Sequence, residues 1–165
     1  MKPSGALPYV DRKPVGAADF YFAINASFRF IRETLGDLAL QSYWEDMGRT
    51  YFAPVVRRWK DSGLPAVAEY WRAFFAAEPG AQVSVHEEFD RVILDVAICP
   101  AIRHLRQSGR TIEPGFCRHC YHVSEAMAAQ AGLSARVEGG NGSCRQVFGP
   151  SDLPPQRMEE IEVCQ

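Results

Sequence analysis

From Phe20 onward, apolar residues recur at helical spacing, with Phe20, Phe22, Ala23, Ala26, Phe30 and Ile31 forming a broad surface that stops near Gly36. Asp37 is placed as the N-cap of a second helix carrying Leu40, Tyr43, Trp44, Met47 and Tyr51. Pro54 is expected to kink or break it, with Val55, Val56 and Trp59 continuing the apolar face to Gly63. Pro65 opens a third helix through Val67, Tyr70, Trp71, Phe74 and Phe75, closed by Pro79-Gly80. The period then changes to two. Val83 and Val85 alternate with Gln82, Ser84 and His86, and Asp90-Arg91 turns the chain into a more continuously apolar strand, Val92 to Ile98. Pro100 starts a short helix reaching Gly109, and a longer helix is expected from about Phe116 to Ala131. Two strands, 133–138 and 144–148, are joined by Gly139-Gly140-Asn141-Gly142, whose Asn-Gly pair is a strong hairpin signal.

The pattern predicts an α+β fold: an N-terminal helical segment followed by a ββααββ antiparallel sheet-and-helix unit, with helices on one side of the sheet. Its expected parts are an extended, Pro-punctuated arm over 1–16, a helical segment over 17–80, an α+β unit over 81–149 packed with it as one domain, and a peripheral tail over 150–165. A chain of 165 residues with 47% hydrophobic and 12% aromatic content has material for a sizeable core. The 18 basic and 20 acidic side chains are mixed, giving a net charge of −2 with no basic stripe. Nucleic acid and membrane are therefore not expected partners, and a small-molecule substrate or ligand is. No apolar leader precedes the first helix and no run of about 18 uncharged apolar residues occurs, so a cytoplasmic location is the expectation.

In a reducing compartment the five cysteines read as ligands, nucleophiles or core residues rather than disulfides. Cys117-Arg118-His119-Cys120 is the sharpest local feature. At about 100° per residue, a helix puts Cys117 and Cys120 on one face and turns His119 and His122 away from it. Cys99, at a strand end, and Cys144, at a hairpin mouth, can supply a second ligand pair. Cys99, Cys117, Cys120 and Cys144 are therefore the candidate metal ligands, with zinc first and iron the alternative. A metal-free catalytic or redox thiol and plain core cysteines remain open beside them. Cys164, in the tail, is read as incidental. Glu87 becomes a buried carboxylate and candidate acid/base if it shares the face of Val83 and Val85. His104, five residues past Cys99, is the other candidate, with an exposed helix residue as its alternative reading.

Cys99-Pro100 at a strand-to-helix junction, then Cys117-x-x-Cys120, then Gly-Asn-Gly-Ser-Cys144-x-x-x-Phe148, resembles the L-2-amino-thiazoline-4-carboxylic acid hydrolase family, over roughly residues 17 to 148. A more distant similarity is to the vinyl-reductase-type domain, with its ββααββ order and cysteine-bound zinc. The first resemblance implies hydrolysis of a cyclic amidine-like C–N bond in a small sulfur-containing metabolite. As a hydrolase, three cysteines would leave a metal position open to water, with Glu87 or His104 shuttling the proton. In a metal-free version Cys117 or Cys120 would be the nucleophile, favoured by a helix N-terminus and Arg118. As a binding module or sensor, four cysteines would close the site.

Overall fold

The computed structural model describes residues 19–165, so the expected arm over 1–16 lies outside the described residues. Helix α1 (Phe20–Leu35) ends at Gly36, and α2 (Asp37–Asp46) starts immediately after it. Asp37 is the first residue of α2 rather than its cap; Gly36 holds the cap position, and no side chain caps this helix. The second predicted helix divides before Pro54, where Met47–Tyr51 forms a π-helical segment and α3 (Ala53–Ser62) begins with Pro54 in its first turn. The reason lies across the helix interface. A Cβ at Gly48 would stand 2.5 Å from the Val123 carbonyl oxygen, so this turn is in direct backbone contact with the long C-terminal helix. Such wide turns are a recognised way of bending a helix to fit a neighbour. Helix α4 (Leu64–Ala77) follows, with Pro65 in its first turn as predicted.

The period-two segments form β1 (Gln82–Glu87) and β2 (Val92–Ile98), then come α5 (Pro100–Gln107) and α6 (Arg118–Gln130), and then β3 (Leu133–Gly140) and β4 (Ser143–Pro150). The sheet order is β1-β2-β4-β3-β5, the first three pairings being antiparallel. The fifth strand, β5 (Ile161–Glu162), comes from the segment expected to be a peripheral tail, and it runs parallel to β3. The sheet is therefore mixed rather than purely antiparallel. Two residues carry no readable period, and what admits them is Gly140: a Cβ there would meet the Glu162 carbonyl oxygen at 2.8 Å. Asn141 (φ 52°) and Gly142 (φ 119°) make the tight β3–β4 turn that their sequence signals.

Helices α4 and α6 pack on the sheet, and the register places Val92, Leu94 and Val96 of β2 opposite Phe148, Gln146 and Cys144 of β4. Phe148 is fully buried on this face, edge-on to Trp59 of α3 and tilted against Trp71 of α4. The opposite face carries the polar partners Asp95, His86 and Arg145. Among the described residues no helix is long and apolar enough to cross a membrane.

Tyr70 of α4 packs edge-on to Trp59, and burial pushes its hydroxyl up to about 12. An unfolded tyrosine ionises near 10. The raised group's contribution to stability is thus intact below pH 10 and lost as pH climbs through 12. Denaturant titrations at pH 9 and pH 11.5 should show an alkaline loss of stability that Tyr70→Phe reduces. An identical loss in that variant would remove Tyr70 as its source.

Candidate functional site

The segment leading to Cys117 is fastened to α1 before α6 starts. Glu113 is fully buried and receives two bonds from Arg32, Nε to Oε1 at 2.6 Å and Nη2 to Oε2 at 3.2 Å. Asn25 accepts from the Glu113 backbone N–H at 2.8 Å and donates to the Thr111 carbonyl at 2.9 Å. A planar guanidinium matched to a carboxylate fixes orientation as well as charge. This anchor sets where Cys117 and the first turn of α6 stand against the sheet.

Helix α6 begins at Arg118, two residues later than the apolar pattern suggested. Cys117 occupies the N-cap with helical angles (φ −69°, ψ −19°), so Cys120 follows it in nearly continuous helical phase. Cys99 caps α5 from the end of β2, and its N–H donates to the Gly142 carbonyl at 2.8 Å, tying it to the β3–β4 turn. Cys144 lies on β4 on the helix-facing side, opposite Val96 and Gly139. Cys164, read from the sequence as incidental, belongs to the same centre. It is 4% exposed, and its Sγ is 3.3 Å from Cys117 Sγ. The β5 pairing and a 3.0 Å bond from the Cys164 N–H to the Pro114 carbonyl bring it there. A cysteine near a chain end offers no spacing signal for this.

All five cysteines are free thiols. Cys120 is the common neighbour, since its charge raises Cys99, Cys117 and Cys144, and the charge of Cys164 raises Cys120 in turn. Burial is the largest cause for three of them. It pushes Cys99 up to about 11 and Cys120 and Cys144 up to about 12. Cys117 is driven upward chiefly by its hydrogen bond to Cys164, while that same bond, helped by Arg106, holds Cys164 below the ordinary thiol value. N–H donors nevertheless point at several sulfurs: the Asn141 amide at Cys117 (3.3 Å), Gln146 Nε2 at Cys144 (3.7 Å), and the Ala101 and Ile102 amides at Cys99. The buried side-chain oxygen of Gln146 has no hydrogen-bond partner among the described residues.

Among the described residues, no three His, Cys, Asp or Glu side chains stand in a ready-made ligating arrangement, the sulfurs in contact being those of Cys117 and Cys164. The donor type is nonetheless one that soft or borderline metals select: thiols sheltered from water, several of them met by N–H groups that favour thiolate. Thiolate ligands suit both zinc and iron.

Glu87 and His104 do not join the thiols. Glu87 shares the face of Val83 and Val85, but it pairs with Val92, at the opposite end of β2 from Cys99. There it is exposed and bonded to Arg72 of α4 at 2.8 Å, so it is not the buried carboxylate that its phase allowed. His104 turns toward α1, with its ring 4.9 Å from that of Phe22 and its Nε2 3.8 Å from Asp19. His119, expected to point away from the thiols, lies alongside them. Its Nδ1 bonds the Phe116 carbonyl, and its Nε2 is 3.8 Å from Cys120 Sγ. Burial lowers its basicity, leaving a neutral imidazole. His122 does face elsewhere, stacked on Trp44 and 3.7 Å from Glu45.

A cleft of about 580 Å³ opens between α1, α2 and α6, on the side of α6 that carries His122, and its lining holds none of the thiols. Its walls include Arg32, Tyr121 and His122, and also Arg118 and Val163, the chain neighbours of Cys117 and Cys164. That volume suits a small molecule.

No family model, curated protein or solved structure matches the chain. The thiols and their surroundings therefore carry the functional reading by themselves.

Proposed function

We propose that the protein is a thiolate-ligated metalloprotein acting on a small sulfur-containing metabolite, with hydrolysis of a cyclic amidine-like C–N bond as its reaction. The ligands are drawn from Cys99, Cys117, Cys120 and Cys144, and zinc is favoured over iron. The observation that carries the metal reading is the convergence of thiols from separate elements on Cys120, each pushed up by burial and several met by N–H donors. Thiols held at about 11 to 12 are poor nucleophiles at neutral pH. A bound cation offsets the burial that keeps them neutral, which makes ligation a better use of these groups than free-thiol attack.

A metal bound here would supply Lewis acidity and a lowered pKa for bound water. His119 is held neutral by burial and oriented by the Phe116 carbonyl, which makes it the nearest proton acceptor to the thiols. A second reading, a metal-binding sensor or binding module without catalysis, is favoured by one observation: Glu87 and His104 are engaged away from the thiols.

Metal content of protein purified without chelator, combined with X-ray absorption, tests both. About one metal per chain, with two or three sulfurs near 2.3 Å and a lighter neighbour, is expected for the hydrolase. Four sulfurs and no lighter atom would favour the binding module. Protein free of zinc and iron, and unable to take them up, would sink the metal reading.

A further inference from the structure

We propose that Cys117 and Cys164 are a redox pair that closes to a disulfide under a peroxide oxidant, withdrawing two of the five thiols from the centre. Their sulfurs are 3.3 Å apart and are the one pair of sulfurs in hydrogen-bonding contact among the described residues. A disulfide needs about 2.05 Å, so the two must close by only about 1.2 Å. Each partner is held from its own side. Cys117 is fixed at the start of α6 and accepts the Asn141 amide, while Cys164 is fixed by β5 and by its bond to Pro114. Arg106 reinforces this arrangement by reaching both Asn141 and the Gln165 carbonyl. The contact therefore joins two independently anchored segments and does not depend on one mobile side chain.

Both residues are buried, Cys117 at 9% and Cys164 at 4% exposure, which selects a small oxidant over a bulky disulfide donor. One sulfur, as thiolate, attacks a peroxide oxygen; the O–O bond breaks, leaving a sulfenic acid and hydroxide, which takes up the released proton to become water. The partner sulfur then attacks the sulfenic sulfur, the S–O bond breaks, and a second water leaves with the partner's proton. Two thiols and one hydrogen peroxide thus give one disulfide and two waters, the sulfurs being oxidised and the peroxide reduced. None of these steps needs a metal, so the pair is testable apart from the proposed metal function even though Cys117 belongs to both.

The chain's arginines make the test clean. Trypsin cuts after Arg110, Arg118, Arg136 and Arg157, which places Cys117 in peptide 111–118, Cys120 in 119–136 and Cys164 in 158–165. The full chain, stripped with a chelator, is treated with hydrogen peroxide, alkylated, digested without reductant and analysed by mass spectrometry. The expected main cross-linked species joins 111–118 to 158–165. It disappears on dithiothreitol treatment, is absent from Cys164→Ser, and persists in Cys120→Ser. The unmodified chain alone is decisive if a variant fails to fold. Recovery of Cys117 and Cys164 both alkylated after other thiols have oxidised would overturn the proposal, as would a main product linking 111–118 to 119–136. Because the sample holds no metal, an absent cross-link counts against the redox pair alone, and metal-free protein as isolated counts against the metal reading alone.

Discussion

Replacing Phe148 by alanine should lower the unfolding free energy by about 3–5 kcal/mol, the range for emptying a fully buried aromatic site. Phe148 is wholly enclosed, with its ring 5.6 Å from that of Trp59 and 5.8 Å from that of Trp71. It sits on the central strand β4, opposite Val92 on one side and Ala135 on the other. The void would therefore open where α3, α4 and the sheet meet, and two large indoles cannot collapse into it without leaving their own contacts. Domains of this size are stable by only about 5–15 kcal/mol, so the loss is a large share of the total. Urea denaturation should show a clear fall in midpoint at unchanged slope. A loss under about 1 kcal/mol would mean that the aromatic cluster is not the centre of the core.

The second large effect belongs to Cys120. It is the thiol whose charge reaches Cys99, Cys117 and Cys144, and it feels Cys164. Under the proposed function, Cys120→Ser should weaken metal binding by more than about 100-fold, beyond the usual effect of disturbing groups that only support the ligands. His104→Ala and Glu87→Gln should leave affinity nearly unchanged, because one side chain packs on Phe22 and the other pairs with Arg72. Competition titration against a chromogenic chelator measures all three. Full affinity in Cys120→Ser would remove the centre's hub and, with it, the assignment of these thiols as ligands.

Much of the fold was legible because its punctuation is local. Gly36, Gly63 and Pro65 act at their own positions, and Asn141-Gly142 specifies a turn whatever surrounds it. The π-helical segment was not legible, since it answers to the approach of Val123 from a distant helix. Strand β5 is two residues long and owes its place to a glycine twenty-odd positions earlier, so the tail was misread as peripheral and Cys164 with it. For Glu87 the phase was readable and the burial was not. Alternation fixes which way a side chain leaves a strand, but only the position of α4 decides that Arg72 meets it at an exposed edge. His119 shows the limit of helical phase in the other direction, because its ring swings back to the Phe116 carbonyl and so comes beside Cys120.

The five thiols come from the end of β2, both ends of the first α6 turn, the β4 hairpin and the segment after β5. Nothing local can assemble them. Contacts so widely spaced along the chain form late, after long loops have closed. During synthesis Cys99, Cys117 and Cys120 emerge together well before Cys144, and Cys164 emerges after the whole sheet-forming region. From Cys99 until Cys164 arrives, a nascent chain therefore carries exposed thiols, open to stray oxidation or to scavenging of the wrong ion. Only the arrival of β5 against Gly140 brings Cys164 beside Cys117, so the contact between those two sulfurs doubles as a report that this edge of the sheet has formed.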